Sequence, residues 1–161
     1  MAGCAATPLI PQITVSYDKF KNQAEIRTYP SIIIHSEYDG LISLRTWASY
    51  LCEGDTSCKT KYININFISE SYYGWQYLSS NELILIADNE RINLGEVIRE
   101  GSALGGSHTV ELMGTIVPIE TFRKIANANL VEGKLGITIF SMEYKNRELF
   151  RMLLAKVDRA Y

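Results

Sequence analysis

Leu41-Ile42-Ser43-Leu44-Arg45-Thr46-Trp47-Ala48-Ser49-Tyr50-Leu51 is the stretch on which the fold class turns. Leu41, Leu44, Trp47, Ala48 and Leu51 recur at intervals of three and four, with Ser43, Arg45, Thr46 and Ser49 between them. That spacing is one apolar face of a short helix. Asp39, just ahead of it, is a suitable cap. On this reading the segment is an early helix with Trp47 turned into the core.

Most of the chain around it alternates with a period of two, the signature of half-buried strands. Ile13 to Tyr17 and Ala24 to Thr28 alternate on either side of a polar turn and predict a first hairpin. Ile32 to Tyr38 is rich in β-branched residues and ends at Asp39-Gly40, which predicts a strand closed by a turn. Tyr62-Ile63-Asn64-Ile65-Asn66-Phe67-Ile68-Ser69 alternates almost without fault, and Trp75 to Leu78 is its expected partner. Leu83 to Ala87 and Arg91 to Leu94, joined by Asp88-Asn89-Glu90, form a compact hairpin. Val97 to Arg99 and His108 to Ile116 continue the strand series.

The pattern changes at Pro118, a good first residue for a helix, after which Ile119, Phe122, Ile125 and Ala126 follow helical spacing. Lys134 to Phe140 reads as a strand. Leu149, Phe150, Leu153, Leu154 and Val157 then make the apolar stripe of a final helix. The expected fold class is therefore α+β: a largely antiparallel β-sheet with one short early helix and two helices in the C-terminal third. Residues 1–12, with Pro8 and Pro11, read as a flexible tether, and residues 13–161 as a single globular domain.

Composition narrows the function classes. The chain has 161 residues, 47% of them hydrophobic and 21% charged, as in ordinary globular proteins. A net charge of -2 argues against a nucleic-acid partner, which would require clustered Lys and Arg. No apolar run reaches the roughly 18–20 residues that a membrane-spanning helix needs. A membrane partner would have to be reached through lipid or through another protein.

Candidate chemistry is sparse. Ser107, His108 and Glu111 suggest a nucleophile, a base and its orienter, the parts of a hydrolase. Neighbouring residues of a strand point to opposite faces, so Ser107 and His108 cannot readily meet. No Gly-x-Ser-x-Gly elbow is present. The Gly-rich segment Gly101 to Gly106 lacks the Gly-Lys-Ser/Thr ending of a phosphate loop and reads as a tight turn. No metal-ligand spacing is found and no cofactor is implied. Tyr73, Trp75 and Tyr77 would share one face of an extended strand, an aromatic stripe suited to a glycan, an apolar ligand or a protein partner. The competing reading buries the stripe beneath a helix.

The three cysteines speak to compartment. Cys52 and Cys58 enclose Glu-Gly-Asp-Thr-Ser, a loop short enough to bring both sulfurs together, and an exported chain would oxidise them to a disulfide. Met1-Ala2-Gly3-Cys4 resembles the tail of a bacterial lipobox, in which small residues precede the cysteine that receives lipid. The order of the later segments supports a second resemblance. The Trp75 strand, Ala87-Asp88-Asn89-Glu90-Arg91-Ile92, a strand carrying Glu111, Ile119 to Ala128, Val131-Glu132-Gly133-Lys134-Leu135-Gly136 and a closing helix are similar to small bacterial envelope proteins, many of them lipoproteins. This likeness spans residues 60 to 158. It implies a fold and a cell-envelope address, periplasmic or outer-membrane, and carries no catalytic residues, while the lipobox-like start implies attachment through lipid on Cys4. The expected function is a non-enzymatic accessory or partner-binding module of the envelope. A glycan or apolar-ligand module and a hydrolase near His108 are the alternatives.

Overall fold

In the computed structural model, which describes residues 10–36, 40–103 and 108–160, alternation governs far more of the chain than helical spacing does. Strands occupy 56% of the described residues and helices 17%. The strands are β1 (Gln12–Asp18), β2 (Gln23–Tyr29), β3 (Ile32–Ile33), β4 (His35–Ser36), β5 (Leu41–Glu53), β6 (Tyr62–Ser71), β7 (Glu82–Ala87), β8 (Glu90–Glu96), β9 (Ile98–Ala103), β10 (Thr109–Pro118), β11 (Leu130–Leu135) and β12 (Thr138–Glu143). Helix α1 covers Ile119–Asn127, and helix α2, Glu148–Arg159, follows a short 3-10 turn at Tyr144–Arg147.

The early helix does not exist. Leu41 to Leu51 lies within the 13-residue strand β5, which corrects the expected fold class to a mostly antiparallel β structure with one short mid-chain helix and one C-terminal helix. The reason lies in which residues turn inward. Thr46 and Tyr50 are buried and Trp47 points out, the reverse of what their polarity suggests. Leu44, Thr46, Ala48, Tyr50 and Cys52 make the inward row of an ordinary strand. Thr46 tolerates burial because its hydroxyl donates to the Asn66 carbonyl at 2.8 Å. Two smaller expectations also change. Lys134 to Phe140 is a hairpin, with β11 and β12 joined at Gly136, whose φ of 57° suits a tight turn. Trp75 to Leu78 is not a strand but part of the bent connection between β6 and β7.

All strand pairs are antiparallel, and they form two sheets. The larger has the order β1-β2-β5-β6-β10-β9, with β3 also on β5; the smaller has the order β4-β12-β11-β7-β8. One face of the large sheet is covered. Helix α2 lies over β1, β2 and β5, while α1 meets β10 and β6. The small sheet closes the remainder, with Phe140 against Phe67 at 5.8 Å between ring centroids. Ile26, Ala48, Ile63, Ile65, Phe67, Val117, Phe122, Phe150 and Leu153 belong to one continuous apolar cluster. Burying each of the large side chains among them contributes about 1.5–3 kcal/mol.

Two buried polar groups mark this inner layer. Arg147 is 0% exposed, and among the described residues no carboxylate is hydrogen-bonded to it. Its Nε donates to the Met142 carbonyl, Nη1 to the carbonyls of Ile125, Ala126 and Ala128, and Nη2 to that of Asn129. The guanidinium thus satisfies the orphan carbonyls at the C-terminus of α1, where the helix dipole favours a cation. Burial lowers its pKa from the ordinary arginine value, and Arg151 alongside acts in the same direction. The second group is Tyr50, whose buried hydroxyl has no hydrogen-bond partner among the described residues, and burial raises its pKa.

Candidate functional site

The outer face of the large sheet has no covering layer among the described residues. Strand register sets one row across it, with Trp47 on β5 opposite Asn66 on β6, Asn66 opposite Gly114 on β10, and Gly114 opposite Ile98 on β9. Gly114 supplies no side chain, so the row has a gap. The gap is the floor of an open groove of about 350 Å³, walled by Trp47, Asn64, Asn66, Ile98, Leu112 and Ile116. That is within the size range of small-molecule sites, about 300–1,000 Å³.

Each wall has a local cause. Leu112 and Ile116 stand two residues either side of Gly114 and therefore on its face of β10. Ile98 is 74% exposed and Ile116 62%, so the groove presents contiguous apolar surface to water. Trp47 is braced from the opposite side, where the Arg27 guanidinium on β2 lies 5.1 Å from the ring centroid. Trp47 also lines the groove. Asn66 leans over the floor, and a Cβ built on Gly114 would stand 2.9 Å from its Oδ1. Its Nδ2 makes only a long 3.4 Å hydrogen bond to the Ser49 hydroxyl. The Asn64 carboxamide has no hydrogen bond among the described residues. Among the described residues no charged side chain lines the groove.

The sites expected from sequence fare differently. Cys52 and Cys58 are disulfide-bonded, with Cα atoms 5.7 Å apart. Cys4 and Ser107 lie outside the described residues. Tyr73, Trp75 and Tyr77 do not form a stripe, because their segment bends instead of extending. Tyr73 is 78% exposed while Tyr77 is 0% exposed, with its hydroxyl 2.8 Å from that of Thr138. Tyr77 is thus a core residue. Trp75 lies under the Arg99 guanidinium at 5.4 Å.

Glu111 explains that bend. Its buried carboxylate accepts the backbone N–H groups of Gln76 at 2.7 Å and Tyr77 at 3.2 Å, with Arg99 at 3.5 Å. A carboxylate held by several donors is satisfied, and here it clamps the connection between β6 and β7. His108 is elsewhere. Its Nε2 lies 3.7 Å from Glu70, which also pairs with Arg45, and its ring is near Tyr72. Glu70 belongs to the outward row of β6, whereas Glu111 is turned inward from β10. His108 and Glu111 serve opposite sides of the sheet, so the base and its expected orienter are not brought together. Among the described residues no group of three His, Cys, Asp or Glu side chains could hold a metal, and no helix is long and apolar enough to cross a membrane.

Sequence hides the groove because helical spacing places Trp47 in a helix core and Asn64 and Asn66 fall within the ordinary alternation of β6. One signal was available. A glycine inside a well-formed strand often marks a place where something approaches the backbone closely, and Gly114 is such a residue. In comparisons with models of protein families, with curated proteins and with solved structures, the chain matches none.

Proposed function

We propose that this protein is a non-enzymatic binding module of a cell envelope, tethered to a membrane by lipid on Cys4 and working through the outer face of its large sheet. The groove over Gly114 carries the reading. A hollow on a rigid sheet, with apolar walls and two carboxamides lacking strong partners, has the composition of a binding site rather than of a reaction centre. Transfer of a proton or an acyl group needs a titratable or nucleophilic constellation, and among the described residues the groove lining holds none.

The address is supported by two features. The Cys52–Cys58 disulfide suits an oxidising compartment. The small residues ahead of Cys4 suit lipid attachment, and firm retention takes more than one acyl chain, as a diacylglyceryl group with an added amide-linked chain would provide. A tether between Cys4 and β1 would leave the sheet face free to meet an envelope component.

Two measurements test the halves of this reading separately. Mass spectrometry of protein isolated from its own host should find Cys4 lipidated; an unmodified sulfur overturns the address. For the surface, immobilised protein is challenged with solubilised envelope. Ile116→Arg should abolish saturable retention of the component held by the unsubstituted protein, while Ile139→Arg on the small sheet leaves it intact. Equal retention by both variants overturns the choice of face.

A further inference from the structure

Resting on that choice of face, we infer that the groove over Gly114 takes one or two rings of a neutral carbohydrate. Three observations point to this class. Among the described residues the lining is uncharged, so a phosphate, a carboxylate or a basic peptide would lose its hydration there without gaining a counter-charge from them. The polar groups on offer are the side-chain amides of Asn64 and Asn66, two residues apart on one strand face. Each carries both donors and acceptors, as hydroxyl groups require. The indole of Trp47, fixed by Arg27, supplies an aromatic wall. Ring C–H groups carry partial positive charge and pack on the electron-rich face of such a ring.

The main chain argues against an extended peptide. Peptides that bind sheets add as a strand to an unpaired edge, where backbone hydrogen bonds supply affinity. The floor of the groove lies over β6 and β10, and each is already paired on both sides; of its walls, Ile98 stands on the edge strand β9. Recognition over the floor falls to side chains. Ile98, Leu112 and Ile116 form the opposite wall, and they suit the apolar face of a ring whose hydroxyls are directed to the asparagines. A groove of about 350 Å³ has room for one or two such rings.

The test is a site-resolved NMR titration of the whole protein with cellotriose, chitotriose and maltotriose, and with anionic trigalacturonate for contrast. At about 10 mM a site with a dissociation constant near 1 mM is roughly 90% filled. At least one neutral trisaccharide should give saturable shifts at the Gly114 backbone amide and the Asn64 and Asn66 side-chain amides, and trigalacturonate should give none. Gly114→Val fills the hollow and should weaken binding at least about ten-fold, as should Asn66→Ala. Trp47→Ala should do the same, and because Trp47 also packs within the face, the other two variants keep the test independent of its folding. Absence of groove shifts with all three neutral sugars overturns the carbohydrate class, as does equal binding of trigalacturonate. Binding that Gly114→Val leaves unchanged overturns the location. The envelope-retention comparison of Ile116→Arg with Ile139→Arg judges the face by itself, so failure of the sugar assignment is separable from failure of the surface.

Discussion

Gly114 and Gly133 occupy equivalent places, each in a strand paired on both sides, and the protein treats them in opposite ways. Gly133 faces inward from β11, opposite Phe140 on β12, and the Phe140 ring lies across it so closely that any Cβ would collide. Gly114 faces outward from β10, and no ring crosses it; only the tip of the Asn66 side chain leans near. An internal gap is thus filled by the chain itself, as dense interior packing requires. The external gap stays hollow and is ringed by aliphatic surface, at a cost of about 25 cal/mol for each Å² of apolar area left wet. A fold that closes one hollow and leaves the other open points to where an occupant belongs.

Breaking the closed side should have the larger effects. Arg147→Met removes a donor from carbonyls at Ile125, Ala126, Ala128, Asn129 and Met142, of which Ala126 keeps Arg151, and should cost about 3–5 kcal/mol, read as a large fall in the denaturation midpoint. An unchanged midpoint would mean that those carbonyls find other partners. Gly133→Ala should cost about 3 kcal/mol, because Phe140 is wedged against Phe67 and cannot swing away. Reducing the Cys52–Cys58 ring should lower stability by about 2 kcal/mol, measured with and without a thiol reductant. Tyr50→Phe runs the other way. Its hydroxyl is buried without a partner among the described residues, so its removal should stabilise by up to about 1 kcal/mol. On the open side, Gly114→Val should change stability by less than about 1 kcal/mol, since only a movable carboxamide must shift and valine suits a strand.

The same contrast separates what was legible in the sequence from what was not. Strand β6 could be read directly, because Ile63, Ile65 and Phe67 turn inward in step with their polarity. The C-terminal helix was equally plain, with Leu149, Phe150, Leu153, Leu154 and Val157 buried on one stripe. Strand β5 was misread because polarity and burial part company there. Thr46 is satisfied by a backbone acceptor, Tyr50 is buried unsatisfied, and Trp47 packs outside against Arg27. The groove was beyond reach for a different reason. Trp47, Asn66, Gly114 and Ile98 come from four strands, and only the order β5-β6-β10-β9 sets them side by side. Spacing along one chain carries no record of that register. Arg147 was hidden as well, since a cation satisfied by helix-end carbonyls leaves no charge pattern to notice.

Calorimetric titration of the unsubstituted protein and of Gly114→Val with the trisaccharide that binds best tests the central claim most directly, with the thermal midpoints of both recorded alongside. The open-hollow account predicts saturable heat for the unsubstituted protein, at least about a ten-fold weaker response from the variant, and nearly equal midpoints. Equal affinities in two equally stable proteins would contradict it.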